Sequence, residues 1–240
     1  MGEDTKARKI LCRKGIAMIY VTGDMHGQKE RFRPVKKRHL KKRDTLIVCG
    51  DFGFLWTGDP AEKHTLKRIG RHRYPILFVD GCNENHRLLE EYPIVDYAGG
   101  KARRISGRLY ELLRGEVYTI DGQTVFAFGG GTPTDAYSSA QESPYLLPDE
   151  EEMARGIANL EQCGNRVDLI VTHDAPEPLR RMLEIDKLDE ISPLHTYLET
   201  VSKTVRFSHW CIGKYHLNKR IPPYYHLLFT EIFRLDQTKE

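Results

Sequence analysis

The chain has 240 residues, 40% of them hydrophobic and 30% charged, with a formal net charge of +3. That length buries a substantial core and suits one soluble globular domain. No apolar stretch reaches the ~20 residues that a membrane helix needs, and five cysteines without a Cys-x-x-Cys pair argue against a disulfide framework.

Residues 1–17 are polar and basic without a clear period, and are expected to form a disordered extension ahead of a single domain at 18–240. Met18 is a candidate native start. The runs Ile16–Thr22, Thr45–Cys49 and Ile76–Asp80 are rich in Ile, Val and Leu and read as strands covered on both faces. Gln28–Lys42 and Ala61–Arg73 lie between them as helix candidates. This alternation predicts βαβ units around a largely parallel sheet. Val117–Ile120 and Thr124–Phe128 flank Asp121-Gly122-Gln123, a hairpin signal. Residues 132–148 read as a long surface loop and Asp149–Gln162 as a helix with an acidic first turn. Leu169–Thr172 is another strand, Leu179–Ile185 and Ser192–Val205 are helices, and Trp210–Gly213 and Tyr225–Thr230 return to strand character.

Charge is unevenly spread. Residues 1–43 carry 14 Lys or Arg against four Asp or Glu, and the remainder carries 23 against 30. The cluster Lys36, Lys37, Arg38, Lys41, Lys42 and Arg43 reads either as a nucleic-acid patch or as a solvated helix face. The absence of interleaved aromatic residues favours the solvated face. Cys49 and Cys211 sit in apolar runs and are expected in the core, a usage that suits a reducing cytoplasm.

Four short motifs follow apolar runs: Gly23-Asp24-Met25-His26-Gly27, Gly50-Asp51-Phe52-Gly53, Thr172-His173-Asp174 and Gly213-Lys214-Tyr215-His216. Each alone is weak, because Gly-Asp at a strand end is commonly a turn and a lone His is commonly structural. Their joint occurrence is informative, because ligands gather beyond the carboxyl ends of strands in α/β sheets. Mixed Asp and His donors suit Mn²⁺, Fe or Zn²⁺ better than Ca²⁺.

With Phe78-Val79-Asp80-Gly81, Thr172-His173-Asp174-Ala175-Pro176 and His209-Trp210 added, the chain resembles the calcineurin-like metallophosphoesterases of the compact bacterial and phage-type branch, from about Met18 to Asp236. The resemblance implies an α/β sandwich of two mixed β-sheets flanked by helices, and phosphoester hydrolysis at a two-metal centre. It assigns Asp24, His26 and His216 to a first metal, Asp51 to a bridging carboxylate and His173 to a second metal. The family pattern Gly-Asn-His-Glu aligns with Gly81-Cys82-Asn83-Glu84, so Cys82 stands at a metal ligand and Asn83 at the catalytic acid. The pattern Gly-His-x-His aligns with Gly213-Lys214-Tyr215-His216, which puts Lys214 at another second-site ligand.

Cys82 as thiolate remains a possible ligand and would favour Zn²⁺. Asn83 donates hydrogen bonds but is no general acid. Protonated Lys214 does not coordinate a metal. It is read either as a fixed cation for a substrate phosphate or as a mere partner of Asp51. A shifted register would instead make Asn83 the ligand and His86 the acid. The expectation is one tight divalent ion, with Mn²⁺ first in order, and a second site weak or absent. Hydrolysis of a phosphorylated substrate would then be reduced or altered. The competing readings are an inactive phospho-ligand or partner-binding protein and, more weakly, a nucleic-acid-binding module.

Overall fold

The computed structural model describes residues 17–82, 84–131, 147–183 and 192–235. The expected extension, most of the 132–148 loop and Asn83 lie outside those residues. Among the described residues, two mixed sheets of seven and six strands pack face to face, with helices on both outer faces. This is the expected α/β sandwich.

The first sheet is centred on β1 (Ile19–Thr22), β2 (Thr45–Cys49) and β3 (Ile76–Val79), which run parallel. β3 also pairs in parallel with β6 (Leu109–Leu112). β5 (Gly100–Ser106) and β4 (Ile94–Tyr97) continue the sheet antiparallel, and β13 (Ile232–Leu235) closes its other edge against β1. The second sheet is centred on β8 (Gln123–Phe128), β9 (Arg166–Thr172) and β10 (Arg206–Ile212), again parallel. β12 (Tyr225–Leu227) extends it in parallel, and β7 (Glu116–Ile120) and β11 (Lys219–Ile221) are its antiparallel margins.

Strand alternation explains why both faces of the central strands are apolar. Ile19, Val21, Ile47, Cys49, Leu77 and Val79 point into the inter-sheet core, where they meet Tyr118, Val125, Ala127, Leu169, Val171 and Cys211. Leu46, Val48, Ile76 and Phe78 point outward under α1 (Phe32–Lys37) and α2 (Pro60–Gly70). On the second sheet, Phe126, Phe128, Ile170, Trp210 and Ile212 face α4 (Glu150–Gln162), α5 (Glu177–Met182) and α6 (Pro193–Thr204). Trp210 is fully buried, and its indole N–H donates to Thr172 Oγ1 at 2.8 Å, which satisfies its one polar atom.

Local sequence sets several boundaries. Asp59 caps α2 by accepting from Glu62 N at 2.8 Å, with Pro60 as the first helical residue. Asp149 and Glu152 form a reciprocal capping box on α4, as do Ser192 and His195 on α6. Asp121 and Gly122 both have positive φ, the signature of a two-residue type I′ hairpin between β7 and β8.

Other expectations are corrected. The helix expected over Gln28–Lys42 is a 3-10 turn at Lys29–Arg31 followed by α1, which stops at Lys37. Leu40 turns into the core and Asp44 accepts from Lys41 N at 2.6 Å, so the chain folds into a turn before β2. The strand expected over Tyr225–Thr230 shrinks to three residues. The short helix α3 (His86–Glu90) and strands β4, β5, β6, β11 and β13 were not anticipated.

Candidate metal centre

Every motif lies just beyond the carboxyl end of a central strand: Asp24 after β1, Asp51 after β2, Cys82 after β3, His173 after β9 and His216 after β10. Because the sheets face each other with these ends together, five segments distant in sequence converge. Asp24, His26 and His216 form one group, and Asp51, Cys82 and His173 a second; in each group one donor atom per residue lies within 4.8 Å of the others. The expected metal ligands are thus brought together, Cys82 included.

The backbone locks the loops to one another. Asp51 O accepts from Met25 N at 2.8 Å and His26 N at 2.9 Å. Lys214 N donates to Asp24 Oδ1 at 3.0 Å, and Cys82 N donates to Asp51 Oδ1 at 2.6 Å. Glu84 receives Gly53 N at 2.9 Å and Gly81 N at 2.6 Å, which staples the second motif to the third. A side chain at Gly81 would strike Asp51, and one at Gly50 would strike His173. His26, Asp51, Lys214 and His216 all sit at positive φ, and such strained backbone clusters where function over-determines it.

Within the first group, His216 Nε2 lies 3.1 Å from Asp24 Oδ2 and 2.9 Å from His26 Nε2. Within the second, His173 Nε2 is 3.3 Å from Asp51 Oδ1, and the Cys82 thiol donates to Gly131 O at 3.3 Å. Asp51 Oδ2 also lies 3.9 Å from His26 Nδ1, so this carboxylate stands between the groups. His173 Nδ1 lies 3.1 Å from Cys49 O, a contact that orients its ring.

The donor set fits divalent cations. Asp24 Oδ2 and His173 Nε2 are buried and make no well-formed hydrogen bond, their near neighbours being His216 Nε2 at 3.1 Å and Asp51 Oδ1 at 3.3 Å. Leaving a buried polar atom unsatisfied costs about 1–3 kcal/mol. A cation in each group would satisfy both atoms and offset the repulsion between the buried Asp24 and Asp51 carboxylates.

Lys214 is buried beside the second group. Its Nζ lies 3.4 Å from Asp174 Oδ2 and 3.8 Å from Cys82 Sγ, so the carboxylate set against it is Asp174, where the sequence reading offered Asp51. Asp174 also contacts His195 Nε2 at 3.1 Å and accepts from the Tyr215 hydroxyl. Burial opposes a charge on Asp174, but Lys214, His195 and Tyr215 outweigh it and hold the carboxyl far below its usual range. Burial likewise works against the Lys214 ammonium, yet Asp174 first, then Cys82 and Asp51, keep it above its ordinary value. Asp174 was visible in the Thr-His-Asp motif, but nothing in the spacing pointed to Tyr215 or His195 as its partners.

Of the two residues of the shifted register, His86 packs against Asp80 and Arg114, and Asn83 lies outside the described residues. Asn85 caps α3 by accepting from Leu88 N at 3.3 Å and donates to Trp56 O at 2.9 Å. His86 is buried with its Nε2 3.4 Å from Asp80 Oδ2. Behind it, Arg114 clasps Asp80 through Nε (3.1 Å) and Nη2 (2.6 Å) and Glu152 through Nη1 (2.8 Å). Since Asp80 O accepts from Gly130 N at 2.9 Å, this cluster supports the loop that carries Cys82.

A family model described as calcineurin-like phosphoesterase matches residues 17–199. The chain belongs to the calcineurin-like phosphoesterase family. No curated protein matches it. The matched span of this phosphoesterase holds Asp24, His26, Asp51, Cys82 and His173 but ends before Lys214 and His216. Convergence in space, with Asp24 contacting both Lys214 N and His216 Nε2, is what adds the last motif to the centre. No helix among the described residues is long and apolar enough to cross a membrane.

Glu111 adds a pH dependence near this phosphoesterase centre. Burial, and then the Asp80 charge, lift its carboxyl to about 7 against the pull of Arg103 at 3.1 Å. An acid raised in the folded state binds its proton more tightly there than in the unfolded chain. Stability contributed by Glu111 is therefore present in acid and lost as pH rises from about 4.5 to about 7. Glu111→Gln should flatten the fall in thermal midpoint across that window; an unchanged slope would disprove the assignment.

Proposed function

We propose that the chain is a metal-dependent phosphoesterase in which Asp24, His26 and His216 hold one tight divalent ion, while the site formed by Asp51, Cys82 and His173 is altered and hydrolysis is correspondingly slow. The observation that carries this reading is the burial of Lys214 beside the second group, 3.8 Å from Cys82 Sγ. An ammonium that close repels a divalent ion by several kcal/mol at an effective dielectric near 20, a penalty that Asp174 only partly offsets.

A divalent ion supplies Lewis acidity toward a phosphoryl oxygen and lowers the pKa of water. The residues do the rest. Asp51 places its carboxylate between the two donor groups. Asp174, Tyr215 and His195 hold Lys214 in place, so its ammonium meets a phosphoryl oxygen as a preorganised point charge. Asn83 offers an amide donor but no proton at neutral pH, and a missing general acid costs roughly 10²–10⁴-fold. Mn²⁺ is the first choice of ion by donor chemistry, and the thiol of Cys82 would draw Zn²⁺ to the second site. The substrate is a phosphorylated molecule, and a cytoplasmic setting agrees with the free thiols of Cys49, Cys82, Cys163 and Cys211.

Lys214 also supports a second reading, a protein that binds a phosphorylated ligand without turning it over. One experiment separates the two. After Mn²⁺ loading and desalting, metal analysis should find about one ion per chain. Bis(p-nitrophenyl) phosphate should be hydrolysed slowly and in a Mn²⁺-dependent manner. The triple variant Cys82→Asn, Asn83→His, Lys214→His should gain a second ion and turn over at least about tenfold faster. Two tightly bound ions in the wild type would overturn the altered-site reading. No wild-type turnover, with turnover in the triple variant, would establish the binding protein.

A further inference from the structure

Residues 33–43 and 63–73 together contain twelve Lys or Arg and no Asp or Glu. All twelve are exposed. The fold unites the two segments. α1 and α2 lie side by side on the first sheet, with Phe32, Val35, Leu66 and Ile69 in one core and Phe32 stacked on His72 at 5.5 Å. Lys41, Lys42, Arg43 and Arg73 line a single surface concavity of about 450 Å³.

Its position is informative. The concavity sits on the turns that lead into the amino ends of β2 and β3, whereas Asp51 and Cys82 follow their carboxyl ends. It therefore lies about one strand length, roughly 15 Å, from the metal centre, on the opposite pole. A phosphate bound there is out of reach of the Asp51 carboxylate.

Helix chemistry accounts for part of the charge only. Lys36, Lys37, Lys67 and Arg68 occupy the last turns of α1 and α2, where cations complement the helix dipole. Lys41, Lys42, Arg43, Arg71 and Arg73 lie beyond those turns. Asp44 accepts from Lys41 N and Met18 N, and Asp121 from Thr45 Oγ1. Gathering like charges raises self-repulsion, which a polyanion relieves.

We propose that this pole docks the phosphate backbone of a nucleic-acid duplex. The two segments contain no Phe, Tyr or Trp, Phe32 and Tyr74 flank the charges from the core, and the exposed rings within them are the small imidazoles of His39 and His64, so the site offers a base no large stacking platform. A duplex presents two backbones and needs no stacking platform. Among the described residues, the exposed large apolar side chains Trp56, Ile94, Leu147, Met182, Leu217 and Tyr224 all lie outside both segments, so the two segments carry no anchor for membrane insertion.

The test is fluorescence anisotropy of a labelled 20-base-pair DNA duplex with the full chain at 50 and 200 mM salt. Four phosphate contacts predict a loss of about a hundredfold in affinity between those concentrations. The variant Lys41→Gln, Lys42→Gln, Arg43→Gln, Arg73→Gln should bind at least about tenfold more weakly at 50 mM, with a shallower salt dependence. Its thermal midpoint and its bis(p-nitrophenyl) phosphate hydrolysis should match the wild type. The exposed pair Lys36→Gln, Lys37→Gln gives a second readout if the first variant unfolds, and should weaken binding in the same direction. Asp51→Asn should bind duplex normally, so failure of the enzyme reading leaves this inference standing. Salt-independent binding, wild-type affinity in both charge variants, or tighter binding to phosphatidylserine vesicles than to duplex at equal phosphate would each overturn it.

Discussion

Asp51→Asn should abolish Mn²⁺-dependent phosphodiester hydrolysis, with a loss of at least about 10³-fold. The carboxylate stands between both donor groups, 3.3 Å from His173 Nε2 and 3.9 Å from His26 Nδ1. Neutralising it removes negative charge where the two donor groups of the centre meet. A loss of about 4 kcal/mol of transition-state stabilisation corresponds to about 10³-fold, since each 1.36 kcal/mol is tenfold. The amide oxygen of asparagine still accepts from Cys82 N, so the loop stays closed. Without metal, the variant should melt no lower than the wild type, because one of several crowded buried carboxylates is gone. With metal, the wild type should gain about 2.7 kcal/mol at a hundredfold excess over its Kd, and the variant far less. Calorimetry with and without Mn²⁺ reads both halves. Turnover within tenfold of wild type would remove Asp51 from the centre.

Arg114→Met should destabilise the fold by about 3–5 kcal/mol, the usual cost of breaking a buried ion pair by removing one partner. The guanidinium is almost fully enclosed and holds both Asp80 and Glu152. Burial alone would push the Asp80 carboxyl up, but Arg114 and then His86 hold it well below its ordinary range. Methionine roughly fills the stem but takes away the guanidinium that Asp80 faces. A double variant that adds Asp80→Asn should recover much of the loss, because the Asp80 charge is then absent. Urea denaturation at neutral pH measures both. Equal stability of Arg114→Met and wild type would show that the cluster is not what supports the Cys82 loop.

The legible parts of this protein share one property. β1, β2, β3 and β9 are compact apolar runs because both faces of each strand are covered, and Asp24, Asp51 and His173, which follow β1, β2 and β9, are donor types that suit a divalent ion. The hairpin at Asp121-Gly122 was legible because a type I′ turn needs two residues that tolerate positive φ. The β4–β6 meander escaped because its burial is uneven. β4 is half-exposed or exposed throughout, and β5 intersperses Lys101, Arg103 and Arg104 among the buried Gly100, Ala102 and Ile105. Strands β11 to β13 are three or four residues long and show almost no period.

By themselves, the residues determined the parallel strands, the Asp and His at their ends and the basic run from Lys36 to Arg43, since each follows from local chemistry over a few neighbouring positions. Only the tertiary structure decided that Lys214 pairs with Asp174, that His86 turns toward Asp80 and Arg114, and that Arg73 joins Lys41 to Arg43 in one concavity. Apart from His86 and Asp80, those partners are 28 to 40 residues apart in the chain. No periodicity carries that information: it comes from which faces bury together, and the chain settles that only when the two sheets close over their shared core.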